Sequence, residues 1–264
     1  MSQRLLTAQR AARAAGKVLA AKLHDRRNIR YKGKRDIVTD ADYAADRTIK
    51  QIVLSRFPDD KFVSEEGDLK EHKRLWAQAD AADDLALWVV DPLDGTTNYA
   101  HTLYAFCTSI ALYQAGQIQI GVVYDPIHNE LYSAERGHSA FLNGKPIHVS
   151  ATRSLEDAVF GGEWGRAPKI RKRSSAVFAR LFQRVMTART FGSAALSFCH
   201  VAAGRTDAHA HLSLSPWDVA AAALIVEEAG GKVTTPTGAA WTVHSKEYVA
   251  SNGHLHATIL RYFR

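Results

Sequence analysis

The run Leu85-Ala-Leu-Trp-Val-Val90, followed at once by Asp91-Pro-Leu-Asp-Gly-Thr-Thr-Asn98, is the most restrictive passage in the chain. The apolar run is short enough to be a buried strand, covered on both faces by other elements. Pro92 forces a turn, so the strand runs out at Asp91, and Asp94 follows three residues on. Gly95-Thr96-Thr97 then opens a helix or turn whose N–H groups suit an anion. Two carboxylates this close around a turn repel each other unless a cation lies between them. Oxygen-only donors beside an anion-binding turn suit Mg²⁺ rather than Zn²⁺. The alternative is purely structural, with Asp91 and Asp94 as turn and cap residues.

Three further acidic strand or helix ends weigh against that alternative. Glu65-Glu66 closes the short strand Lys61-Phe-Val-Ser64. Asp36, Asp40 and Asp42 cluster in Asp36-Ile-Val-Thr-Asp-Ala-Asp42, after the first helical pattern. Asp218 opens a late helix, where Ser215-Pro-Trp-Asp218 supplies Ser at the N-cap, Pro at N1 and an acid at N3. That cap role is compatible with metal binding.

The surrounding periodicities define the architecture. Residues 4–22 read as an amphipathic helix, and Arg10, Arg13 and Lys17 deny it the continuous apolar core of a secretory signal. A second helical pattern carries Ile49, Ile52, Val53 and Leu54 and stops at Phe57-Pro58. Residues 106–114, 118–124 and 130–135 read as antiparallel strands, and Leu142-Asn-Gly-Lys145 as a tight hairpin. Strands at 158–162, 187–191 and 207–212 then alternate with helices at 174–185, 192–203 and 216–229. Strands at 232–235 and 248–251 and a helix at 254–263 close the chain. The pattern predicts an α/β (α+β) sandwich in layers, with an antiparallel-rich first sheet and a mixed second one. An N-terminal α+β half (1–150) carries the metal-site motifs, and a C-terminal α/β half (151–264) carries Asp218 and the substrate pocket.

Of 264 residues, 46% are hydrophobic and 23% charged, a balance that argues for a folded globular chain and against disorder. No run approaches the roughly 18–20 apolar residues that span a bilayer. Thirty-four basic against 27 acidic residues leave +7, much of it in segments 26–35 and 166–173. Such an excess favours anionic partners, phosphate esters as much as nucleic acid, and no zinc-finger spacing, RNP motif or basic-zipper heptad accompanies it. Cys107 and Cys199 are isolated thiols, which suggests a reducing compartment, the cytoplasm.

The stretch Asp91-Pro-Leu-Asp-Gly-Thr-Thr-Asn98 and the segment from Trp217-Asp218 to Gly230-Gly231 resemble the two signatures of the inositol monophosphatase family. The order of the acidic motifs extends the resemblance to nearly the whole chain. It implies an αβαβα sugar-phosphatase fold, a lithium-sensitive homodimer and hydrolysis of a small phosphorylated metabolite with two to three Mg²⁺. Glu65, Asp91 and the Leu93 carbonyl then hold one metal, and Asp91, Asp94 and Asp218 a second, with Glu65 or Glu66 helping with a third. Thr96 and Asp42 orient and deprotonate the attacking water. The N–H groups of Gly95 and Thr96, beside Thr97, hold the phosphate. Lys32 sits where the family often has a basic residue near the metals. No protein nucleophile and no phosphoenzyme are expected.

The substrate side is less regular. Arg189, Gly192 and Ala194 keep the family spacing in Arg189-Thr-Phe-Gly-Ser-Ala194. Inositol-selective members usually carry Glu seven residues before the Asp of SPWD, where this chain has His211. His211 is either an ordinary strand residue or a pocket residue suited to a hydroxyl or a second phosphate. The basic segment 166–173, read as a loop, offers Arg171, Lys172 and Arg173 to a second phosphate. Inositol 1-phosphate is the default substrate; fructose 1,6-bisphosphate, histidinol phosphate and 3′-phosphoadenosine 5′-phosphate stay open. A different class is a regulatory module that contacts RNA or the transcription machinery.

Overall fold

The computed structural model describes residues 1–25, 29–33 and 36–264, and the side chains of Lys32 and Asp36 also lie outside the described residues. The expectations for Lys32 and for most of segment 26–35 therefore fall outside them.

Helix α1 (Gln3–Lys22) starts where Ser2 Oγ accepts the Leu5 N–H at 3.2 Å. A short hairpin, β1 (Arg30–Gly33) and β2 (Asp36–Val38), leads to α2 (Asp40–Arg56), which begins with a Thr39/Asp42 capping box. Strand β3 (Lys61–Ser64) and helix α3 (Leu69–Ala81) precede β4 (Leu87–Asp94) and the five-residue helix α4 (Thr96–Ala100). The meander β5 (Cys107–Gln114), β6 (Gln117–Asp125), β7 (Glu130–Glu135), β8 (Ala140–Leu142) and β9 (Lys145–Ile147) follows. The second half runs β10 (Val159–Glu163), α5 (Pro168–Phe182), β11 (Thr187–Arg189), α6 (Ala194–Ala202), β12 (Ala208–His211) and α7 (Pro216–Glu228). It ends with β13 (Lys232–Thr234), β14 (Tyr248–Ser251) and α8 (His256–Leu260).

Strands β3 to β9 form a seven-stranded sheet in sequence order, antiparallel except for β3 with β4. The second sheet, ordered β11-β10-β12-β14-β13, is mixed. The period-2 alternation of the strands sorts the layers. Trp88, Val90, Ile110 and Leu112 pack under α1 and α2, while Leu87, Val89 and Ala111 face α6 and α7. Tyr248 and Ala250 join that second cluster from the other sheet, and Phe160, Ala208 and Val249 turn outward to α5 and α8. The result is the five-layer αβαβα sandwich.

Helix α7 is buried on all sides from Val219 to Val226 because a sheet covers it above and below. A Cβ on Gly121 would stand 2.4 Å from the Ala221 carbonyl oxygen, so the glycine lets strand β6 and α7 meet backbone to backbone. That contact sets α7 with its N-terminus, and Asp218, over the end of β4.

One stretch to which the sequence assigned no element is helical, and one helix starts earlier than expected. The charged segment after Gly67 folds as α3, because Asp68 caps Lys70 and Glu71 at 2.9 Å each and Leu75, Trp76 and Ala79 form a buried stripe. Helix α5 begins at Pro168 rather than Ser174. Proline at N1 is preorganised for a helix start, so most of segment 166–173 is helical and not a loop.

Candidate active site

Three elements end at one point. The register of β4 against β5 shifts between Asp91 and Asp94, since Pro92 has no N–H for the ladder. Asp91 Oδ1 accepts the Leu93 N–H at 3.0 Å, and the Pro92 carbonyl accepts the Thr108 hydroxyl at 3.0 Å. Glu65 continues β3, its N–H donating to the Val90 carbonyl at 3.1 Å. Asp218, at N3 of α7, accepts the Ser215 N–H at 2.7 Å. Carboxylate oxygens of Glu65, Asp91 and Asp218 come within 4.8 Å of one another.

Burial first, then the charges of Glu65, Asp94 and Asp218, drives the Asp91 carboxyl well above the usual range. Burial and Glu65 do the same to Asp218. Three acids converging on one point, with oxygen donors alone, fit a hard divalent cation.

Asp94 stands outside that tight group although it lines the same cavity. Its Oδ2 accepts the Ser193 hydroxyl at 2.5 Å and the Ala195 N–H at 2.7 Å, at the N-terminus of α6. Burial raises its pKa to about 6 against those hydrogen bonds.

The turn after Asp94 depends on Gly95, at φ 91°, where a Cβ would lie 2.8 Å from the Ala105 carbonyl oxygen. Helix α4 starts there, so the first N–H groups after the turn lack intrahelical acceptors. Thr96 and Thr97 line the cavity, as do Glu66 and Leu93. The Thr96 hydroxyl lies 3.0 Å from the Leu93 carbonyl oxygen and 3.4 Å from Asp42 Oδ1. Of the acids around α2, Asp42 thus reaches the site, whereas Asp40 pairs with Lys22 at 3.0 Å.

The cavity measures about 1020 Å³, and its lining also includes Gly192, Ala194 and His211. Three other expected residues lie off it, and here the sequence reading is corrected. Arg189 is exposed on the edge strand β11 and donates to Thr187 Oγ1 and the Ala188 carbonyl. Lys172 points to solvent, and Arg173 pairs with Glu247. Successive helical residues diverge by about 100°, so of Arg171, Lys172 and Arg173 just Arg171 faces the cavity.

Sequence reasoning did not assign Glu163 and Lys246, and it named Arg166 as part of the basic segment 166–173 without singling it out; all three line the cavity. Glu163 Oε1 accepts the Gly192 N–H at 3.0 Å and the Ser197 hydroxyl at 3.2 Å. Burial, with Asp94 nearby, raises it to about 7. Burial, then Arg166, lowers His211 to about 4, which keeps its ring neutral. A signal for Glu163 was present: it ends β10, the strand that pairs with the one ending at His211.

The chain matches the family model described as "Inositol monophosphatase family" over residues 1–264. It is 37% identical over 229 residues to a fructose-1,6-bisphosphatase/inositol-1-monophosphatase of Thermotoga maritima, covering 87% of this chain and 83% of that one. It is 36% identical over 267 residues to the Nus factor SuhB of Vibrio cholerae, covering 100% and 97%. A crystal structure of the extragenic suppressor protein suhB from Bartonella henselae superposes with a TM-score of 0.91 at 35% identity, over 100% of this chain and 99% of that one. With the acidic strand ends of that family in one cavity and its model matched end to end, the chain belongs to the inositol monophosphatase family, whose members are phosphoric monoester hydrolases.

Proposed function

We propose that the protein hydrolyses the phosphate monoester of a small polyol or sugar, with Mg²⁺ and an activated water. The observation that carries this reading is the convergence of Glu65, Asp91 and Asp218 within 4.8 Å, beside the Gly95–Thr97 turn. Glu65, Asp91, the Leu93 carbonyl, Asp94 and Asp218 are the ligands for two to three Mg²⁺. Bound there, the metal supplies positive charge to the phosphoryl oxygens and acidifies the attacking water.

The chain's own groups do the rest. The N–H groups of Gly95 and Thr96 hold phosphoryl oxygens, and the Thr96 hydroxyl orients the water. Asp42, 3.4 Å from that hydroxyl, receives the water proton. The new bond joins water oxygen to phosphorus, the bond to the leaving oxygen breaks, and solvent protonates that oxygen. Glu66, beside the metal ligands, assists in holding the water.

A homodimer, lithium inhibition and a cytoplasmic location belong to the same reading. Support for the last is two free, buried cysteines, and no described helix is long and apolar enough to cross a membrane. Phosphate release from inositol 1-phosphate, fructose 1,6-bisphosphate, histidinol phosphate and 3′-phosphoadenosine 5′-phosphate, with Mg²⁺ and with EDTA, tests the proposal. Release that is equal in EDTA removes the metal assignment.

A second reading, a bisphosphate substrate, is favoured by Arg166, Arg171 and Lys246, which line the same cavity as the acids. The Nus-factor name of the Vibrio relative points to nucleic acid instead, and an RNA shift assay across a salt series separates the two.

A further inference from the structure

Glu163 and His211 are register partners on the parallel strands β10 and β12, so their side chains leave the same face about 4.8 Å apart. Both line the cavity. His211 Nδ1 accepts the Ser213 N–H at 3.1 Å, so the neutral ring carries its proton on Nε2 and offers one donor. Glu163 is held in place through Oε1 by Gly192 and Ser197, and a carboxylate with about four acceptor positions keeps capacity to spare. One wall of the pocket therefore pairs a fixed acceptor with a fixed donor.

The geometry points to Glu163 and His211 as the pair that selects a polyhydroxylated leaving group, a role that rests on the phosphatase reading above. A hydroxyl donates and accepts, so neighbouring hydroxyls answer both groups at once. An ammonium offers donors alone and leaves the His211 N–H unmet. An alkyl or aryl group buries both polar groups without partners, and such sites reject analogues that lack the hydroxyl. The carboxylate that reads the substrate thus comes from β10, one strand away from His211.

The test compares kcat/KM for inositol 1-phosphate and for phenyl phosphate in the full chain, E163Q and H211A, with Mg²⁺ saturating. E163Q keeps a side-chain oxygen for Gly192 and Ser197; H211A leaves the hydrogen bonds of Glu163 to Gly192 and Ser197 in place. The preference for the inositol ester is expected to fall about tenfold in each variant, one hydrogen bond apiece. A ratio within twofold of wild type in both, including an equal loss on both esters, overturns the proposal. A fall in one variant alone overturns the pairing. Wild-type enzyme that hydrolyses the bisphosphates named above but neither ester overturns this proposal alone, whereas release from none of these substrates removes the phosphatase reading with it.

Discussion

Thr96 Oγ1 lies 3.4 Å from Asp42 Oδ1, joining the turn after β4 to the first turn of α2 across 54 residues of sequence. The other oxygen of Asp42 accepts the Thr39 N–H at 2.8 Å and the Thr39 hydroxyl at 2.7 Å. One carboxylate therefore caps the start of a helix and reaches Thr96, and in the function proposed above it receives the water proton. D42N keeps oxygen for the cap but loses the proton acceptor. Its kcat is expected to fall about 10²–10³-fold with little change in melting temperature. T96A should fall comparably, and T96S should restore most of the rate. A D42N rate within about threefold of wild type removes Asp42 from proton transfer.

The acidic cluster predicts how metal and pH act on stability. Asp91 and Asp218 are raised well above the usual range, and Asp94 to about 6, each chiefly by burial. A carboxyl raised in the fold binds more protons folded than unfolded. Its stabilising contribution is therefore lost as pH climbs from the unfolded value, near about 4, through the folded one. Metal binds the ionised form and offsets that loss. The rise in melting temperature from EDTA to saturating Mg²⁺ should be small at pH 5 and larger at pH 8. D91N relieves repulsion, so its melting temperature in EDTA should rise while the Mg²⁺ increment and turnover vanish. An unchanged increment in D91N counts against the metal site.

Much of this was legible because it is local. The Pro92 turn, the Ser215-Pro-Trp-Asp218 helix start and the strand alternation are short-range patterns with direct physical causes. The layer order follows from them, since α7 is apolar all round and needs a sheet on each side. What stayed hidden depends on non-local placement. Lys246 enters the cavity from the segment between β13 and β14, and Glu163 gains meaning from its register with His211. The helical phase that turns Lys172 and Arg173 away from Arg171 was lost by reading the basic run as a loop.

His209 carries a cost that the site does not use. It is buried against Phe198 and over Gly161, and neither ring nitrogen has a hydrogen-bond partner. Burial lowers its pKa to about 3. A depressed histidine contributes stability above its unfolded pKa, near about 6.5, and loses it as pH falls toward the folded value. Replacing it with Leu removes two unmet polar atoms. H209L should gain about 1–2 kcal/mol in urea unfolding at pH 7 and unfold at lower pH than wild type. Lower stability at pH 7 would show that the ring is satisfied in solution.

The last prediction concerns the cations on the cavity wall. Arg171 projects from the first turn of α5 and Lys246 from the segment before β14, so two distant segments bring positive charge to one cavity that is also lined by six acidic residues. The acids attract metal, which leaves the two cations for a second anionic group on the substrate. Removing both in R171A/K246A should lower kcat/KM for fructose 1,6-bisphosphate about 10–100-fold, and that for a monophosphate less than about threefold. Added salt should weaken the bisphosphate reaction more than the monophosphate one, because exposed charges are screened. Equal losses on both substrates would assign Arg171 and Lys246 to general attraction of phosphate and leave the bisphosphate reading without support.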